Sequence, residues 1–244
     1  MPNTECCEFT VKVPFVSDGF RLDGTLHLPK ALRPPVIIGV HGLASDGDSP
    51  KQIALARRCN QLGMAFFRFD HRGCGRSQGD FSEVTSLSGR RQDLQDAVRT
   101  LRHRGDLGDK IGFFGSSMGG TVSLSVAGDD PVDALVVVAA PVTGRSVRRL
   151  PERADGSALL TPEFYAQHLN FDITDKLDVI GSILVFHGDR DEVVPVASGK
   201  EIFARASAPK KLIVQSNGDH RISDPGHQKQ FIAEASKWFA SHLL

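Results

Sequence analysis

The chain has 244 residues, of which 40% are hydrophobic and 24% charged, values that suit a globular protein and exclude a chain disordered throughout. Its 29 Lys and Arg offset 29 Asp and Glu, so no net field draws the whole molecule to nucleic acid or to an anionic membrane surface. A neutral or weakly charged small molecule is the expected partner, and no feature of the sequence sets an oligomeric state. Nowhere do about 18 apolar residues run together, so no membrane insertion is expected. Met1-Pro2-Asn3-Thr4-Glu5 lacks the basic and apolar regions of an export signal, which predicts a cytoplasmic protein with disorder confined to the first few residues. Cys6, Cys7, Cys59 and Cys74 show neither C-x-x-C spacing nor a histidine partner at zinc spacing. Free thiols are expected rather than a metal site or disulfides, with Cys6 and Cys7 entering an N-terminal strand rather than forming a redox pair.

Residues 9 to 16 and 21 to 28 alternate apolar with polar side chains around the turn formers Ser17-Asp18-Gly19, which predicts an antiparallel hairpin at a sheet edge. The pattern then changes to short apolar runs at residues 36–40, 65–69, 111–114, 135–138, 183–186 and 212–214, as expected of strands buried on both faces. Between them, residues 51–62, 87–102, 118–127, 195–206 and 228–243 place apolar side chains three and four apart, as Leu94, Ala97, Val98 and Leu101 do, which predicts helices. Strand alternating with helix implies an α/β fold: a mostly parallel, doubly wound sheet of about eight strands, in one domain over residues 1–244. Ligands of such sheets lie beyond the carboxyl ends of the strands. Residues 142–179 are too long for a simple crossover and predict a small helical lid inserted in that domain. The insertion carries the basic residues Arg145, Arg148 and Arg149, then a helix over residues 161–169 with Pro162 in its first turn.

Gly115-Ser116-Ser117-Met118-Gly119-Gly120 lies between a predicted strand and a predicted helix, which places Ser117 on a strand-to-helix corner. A turn sharp enough to expose a serine hydroxyl crowds the positions two residues either side, where there is no room for a Cβ. Gly115 and Gly119 fill those positions for Ser117, whereas Ser116 is flanked by Phe114 and Met118. A serine nucleophile needs a base within hydrogen-bond reach and an acid to orient that base. His220 follows the last predicted strand, and Asp189 and Asp191 follow the one before it. The residues alone barely separate these two acids. Asp219 is adjacent to His220 and diverges from it, and Glu192 is expected to point elsewhere. Of nine histidines, His27, His103, His168, His227 and His242 are expected as capped, solvated or core residues, and His41, His71 and His187 as loop-shaping ones. Two backbone amides must face the developing oxyanion, and Met118 and Leu43 are the candidates.

Together His41-Gly42-Leu43, the stretch from Asp70 to Ser77, Gly115 to Gly120, the stretch from His187 to Pro195 and Gly218-Asp219-His220 resemble the α/β-hydrolase superfamily. More narrowly, they resemble its small lidded serine esterases and its monoacylglycerol-lipase-like, S33-peptidase-like branch. The resemblance implies Ser117 as nucleophile, Asp191 as acid, His220 as base, and the Leu43 and Met118 amides as oxyanion hole. It favours Asp191 over Asp189 and assigns the Asp70 to Ser77 loop a structural role. It implies an ester hydrolase working through an acyl-enzyme, with no metal and no organic cofactor. A lid without a long apolar run disfavours action on aggregated fat. Thioesterase and aminopeptidase are the enzymatic alternatives, the latter needing an acidic lid residue such as Glu152, Asp155 or Glu163 to hold a substrate amine. A non-catalytic ligand-binding protein is the alternative of another class.

Overall fold

The computed structural model of the chain describes residues 9–148 and 160–244. Ten strands form in chain order: β1 Phe9–Lys12, β2 Phe15–Ser17, β3 Phe20–Leu22, β4 Gly24–Leu28, β5 Val36–Val40, β6 Ala65–Phe69, β7 Ile111–Ser116, β8 Ala134–Val138, β9 Ile183–Gly188 and β10 Lys210–Gln215. The helices are α1 Pro50–Gln61, α2 Phe81–Val84, α3 Leu87–Arg102, α4 Met118–Ala127, α5 Pro162–His168, α6 Val196–Arg205 and α7 Pro225–Leu243. Eight strands form one sheet in the order β1-β4-β6-β5-β7-β8-β9-β10. From β6 to β10 every pairing is parallel, and only β1 with β4 and β4 with β6 run antiparallel.

The expected N-terminal hairpin is present but divided. β1 pairs with β4 in the main sheet, whereas β2 and β3 close a separate two-stranded sheet around the Asp18-Gly19 turn. The chain bends between Lys12 and Phe15, where Pro14 has no amide hydrogen to continue the ladder. Val13 N–H still reaches Gly24 O at 2.9 Å, and the ladder is then broken.

Continuous apolar runs form here because the sheet is covered twice. In β8, Leu135 and Val137 face a core shared with α3, α4 and α6, while Ala134, Val136 and Val138 face the core under α1 and α7. On the second side, Phe231 of α7 sits between Phe114 and Phe186, with ring centroids 5.5 Å and 5.4 Å apart. All three rings are fully buried, which contributes roughly 2–3 kcal/mol each and fixes the start of α7 against the strand ends.

Between β8 and β9, the described part of the connection holds short 3-10 turns at Gly144–Ser146 and Thr174–Val179 and the helix α5. Thr161 Oγ1 caps α5 by accepting from Phe164 N–H at 3.1 Å, and Pro162 occupies its first turn. Cys6, Cys7, Arg149, Glu152, Asp155 and the first few residues, expected to be disordered, lie outside the described residues. Cys59 and Cys74 are buried free thiols. Among the described residues no helix is long and apolar enough to cross a membrane.

Candidate active site

β7 ends at Ser116 and α4 begins at Met118, so Ser117 alone makes the corner, with φ 54° and ψ −124°. A positive φ on a residue with a Cβ costs on the order of 1–3 kcal/mol and persists only where the surroundings enforce it. Two things enforce it. Ser117 N–H donates to Val138 O at 2.8 Å, tying the corner to the neighbouring strand. The helix start also presses against both β7 and β5. A Cβ on Gly115 would overlap the Gly119 carbonyl, and one on Gly119 would overlap the Val40 carbonyl.

Ser117 Oγ lies 3.0 Å from His220 Nε2, across 103 residues of chain. On the far side of the ring, His220 Nδ1 lies 2.8 Å from Asp191 Oδ2 and 3.0 Å from Oδ1. The loops carrying these two residues are bound to each other. Arg190 N–H donates to Gly218 O at 3.0 Å, and Asp189 N–H donates to Gln215 O at 3.1 Å. Asp189 turns its carboxylate away from the ring and accepts from Asn217 N–H at 2.7 Å, so it ties the loops together while Asp191 faces His220. Asp191 Oδ1 also accepts from the amides of Val193 and Val194, at 2.9 and 2.7 Å. Burial alone would raise the Asp191 carboxyl, but hydrogen bonds from His187, His220 and the Val194 amide outweigh it and hold the group well below the usual carboxylate range. The group facing His220 is therefore an anion.

The loop after β5 brings Leu43 beside this serine. Among the described residues neither the Leu43 nor the Met118 amide donates to another backbone carbonyl or to a side chain, which leaves both N–H groups free at the strand ends. Beneath the loop lies a residue that sequence reasoning missed. Arg90 of α3 is fully buried, and its guanidinium donates to the carbonyls of His41, Gly42 and Leu43 at 3.3–3.5 Å, to Cys74 Sγ at 3.3 Å and to Thr85 Oγ1 at 3.2 Å. Three successive carbonyls are thus turned inward towards α3. A signal was present: Arg90 and Asp93 lie four residues before Leu94 and Ala97, on the apolar stripe of α3, where unpaired charges do not belong.

Asp93 is the partner of the neighbouring loop. Its carboxylate accepts from the Arg72 amide at 3.0 Å, from Arg72 Nε at 2.9 Å and from His71 Nδ1 at 3.1 Å. His71 N–H in turn donates to His41 Nε2 at 3.0 Å, while His41 Nδ1 donates to Gly42 O at 2.8 Å. Both imidazoles are held neutral. His41 uses its two nitrogens as one donor and one acceptor, and His71 Nε2 is buried with no partner among the described residues to receive a proton's hydrogen bond. Burial pulls the His71 ring down to about 4, helped by Arg90, and burial also pulls His41 well below its ordinary value.

The stability consequence has a definite sign. The unfolded chain takes up these protons near pH 6.5, before the folded one can, so stability is lost as pH falls from about 6.5 towards 4. For His71 alone the loss is on the order of 3 kcal/mol. The urea midpoint is expected to drop steadily across that window, and a midpoint constant from pH 6.5 to 4.5 would contradict neutral burial of these rings.

Residues 33–176 match the sequence pattern of the hydrolase family described as serine aminopeptidase, S33. The chain belongs to this S33 hydrolase family. It is 29% identical to the uncharacterized protein YfhR of Escherichia coli K12 over 225 residues, covering 89% of this chain and 74% of YfhR. It is 27% identical to the mitochondrial palmitoyl-protein thioesterase ABHD10 of Mus musculus over 214 residues, covering 78% of this chain and 70% of that one. Its fold is similar to the ferulic-acid-bound structure of Est1E from Butyrivibrio proteoclasticus, with a TM-score of 0.82 at 21% identity over 94% of this chain and 98% of that one. The fold is the α/β-hydrolase fold, with an eight-stranded sheet and helices on both faces.

In this S33 hydrolase Ser117 opens onto a cavity of about 1150 Å³. Leu43, Met118, Pro141, Val147 and Tyr165 are among its lining residues, the last two contributed by the connection between β8 and β9. Phe114 of β7, Phe231 of α7, Lys51 of α1 and Arg221 of the loop after β10 line it as well. The other histidines stand apart from Ser117 or beneath its loops. His187 Nε2 bonds to Val194 O at 2.9 Å and shapes the Asp191 loop, and His27 accepts from Arg68 Nε at 2.8 Å. The Asp70 carboxylate binds the amides of Gly47 and Arg76, at 2.7 and 2.9 Å, and so folds its own loop without reaching the cavity.

Proposed function

We propose that this protein is a serine hydrolase that cleaves small or medium carboxylic esters through an acyl-enzyme. The observation that carries the reading is the continuous chain from Ser117 Oγ through His220 to the buried Asp191 carboxylate, with contacts of 3.0 and 2.8 Å. In the first half-reaction Ser117 Oγ attacks the ester carbonyl while His220 Nε2 takes its proton. The Leu43 and Met118 amides stabilise the oxyanion, and His220 then gives the proton to the leaving alcohol. Water repeats the sequence on the acyl-enzyme and frees the acid. Asp191 keeps the imidazole in the tautomer whose Nε2 accepts from Ser117, and stabilises the imidazolium as it forms. We treat residues 1–244 as one domain working in the cytoplasm, with residues 142–179 as a lid whose Val147 and Tyr165 close over the acyl side of the cavity.

Thioester cleavage on the same groups is the second reading, favoured by the 27% identity to ABHD10. Amine recognition has less support: Glu163 is exposed and does not line the cavity, and Glu152 and Asp155 lie outside the described residues. Purified protein should hydrolyse short-chain nitrophenyl esters above the buffer rate and take up a fluorophosphonate label on the peptide containing Ser117. Absence of both would point instead to a ligand-binding protein without turnover. Parallel oxygen-ester, thioester and aminoacyl panels then rank the three substrate classes.

A further inference from the structure

Lys51 and Arg221 both line the cavity, yet among the described residues neither takes an ion pair or a hydrogen bond. Surface cations without partners are common. These two differ in lining the same cavity from separate elements, Lys51 from the first turn of α1 and Arg221 from the residue directly after His220, close enough for Arg221 to repel the Lys51 ammonium. They also differ from the nearby acids. Asp219 Oδ1 accepts from the Ser223 amide at 2.8 Å, and Glu192 Oε2 accepts from the His220 amide at 3.3 Å, so both carboxylates are already engaged by backbone. Neither cation has such a bond among the described residues, although the Asp219 and Asp191 carboxylates act on Lys51 through space.

Their position relative to the chemistry decides what they meet. His220 returns a proton to the leaving oxygen, so the alcohol half of an ester lies on the His220 side. The acyl half is assigned to the apolar lining residues Met118, Pro141, Val147 and Tyr165. We propose that Lys51 and Arg221 form a subsite for a carboxylate on the alcohol half of the substrate, so that the preferred substrates are esters whose leaving group is a hydroxy acid. This rests on the hydrolase reading above. Burial pulls the Lys51 ammonium down to about 8, partly offset by Asp219, so that charge has already given up much of its water and gains by meeting an anion. Two cations beside two engaged carboxylates suit a single negative charge better than a phosphate dianion.

The test compares two butyrate esters of nearly the same shape, those of 4-hydroxybenzoate and 4-hydroxybenzamide, differing in one charge. The wild type should favour the carboxylate ester in kcat/KM by about tenfold, mostly through KM, with the preference shrinking as salt rises. Lys51→Gln combined with Arg221→Gln should bring the ratio close to one. Lys200→Gln combined with Lys237→Gln, which removes two exposed charges remote from the cavity, should preserve it. A wild-type ratio near one, or a ratio that survives the Lys51 and Arg221 double substitution, overturns the subsite. Calorimetric binding of 4-hydroxybenzoate against 4-hydroxybenzamide reads the same preference without turnover. If neither ester is cleaved and no serine is labelled, the hydrolase reading fails by itself. The calorimetry then decides the subsite: preferential binding of the acid that depends on Lys51 and Arg221 supports it, and equal binding of the two overturns it.

Discussion

Ser117→Ala is expected to lower kcat on any accepted ester by roughly 10⁴- to 10⁶-fold, with KM nearly unchanged. In the proposed mechanism this hydroxyl forms the acyl-enzyme, and without it what remains is the modest assistance of the oxyanion amides and of binding. The fold should tolerate the change. Among the described residues Ser117 Oγ bonds only to the His220 ring, and the strained corner is held by the Val138 contact and by Gly115 and Gly119, none of which involves the hydroxyl. Melting at the wild-type temperature together with lost turnover and lost fluorophosphonate labelling is the expected pattern. Turnover within tenfold of wild type would remove Ser117 from the mechanism.

Asp191→Asn is expected to cost about 10⁴ in kcat, for a reason contained in the hydrogen bonds around that side chain. Oδ1 accepts from two backbone amides, those of Val193 and Val194, and an asparagine must keep its oxygen there. Its NH₂ then occupies the place of Oδ2, 2.8 Å from His220 Nδ1. A donor in that place forces Nδ1 to accept, which moves the imidazole proton to Nε2 and turns a donor towards Ser117. The ring can then no longer receive the serine proton. Asp189→Asn should do far less to kcat, because that carboxylate binds the Asn217 amide and not the ring. The measurement is kcat for the two variants side by side. Comparable losses in both, or a larger loss for Asp189→Asn, would contradict the assignment of Asp191.

Much of the frame was legible because local rules and the global fold agree. Helix α3 lies where apolar spacing puts it, at Leu87–Arg102, since amphipathic periodicity is a property of consecutive residues, whereas α4, at Met118–Ala127, is buried along its whole length and carries no polar face. The glycines flanking Ser117 were equally readable, because the lack of room for a Cβ is a local demand that the sequence must meet directly. The divided hairpin was less legible. Alternation continues through residues 9 to 16, and only pairing shows that β1 joins the main sheet while β2 turns to β3.

Taken alone, the sequence determined an alternating α/β chain, a serine at a strand-to-helix corner, and the order in which acid and histidine follow it. The tertiary structure decided which acid faces the imidazole, because residues 189 and 191 share a loop and differ only in the direction their side chains take when that loop packs on residues 215–218. It alone placed Arg90 beneath the loop of Leu43, and it alone brought Lys51 and Arg221 to one cavity in a chain whose total charge is zero. The physical reason is common to all three. Side-chain direction and local field depend on neighbours tens to hundreds of residues away, and no window of consecutive residues contains them.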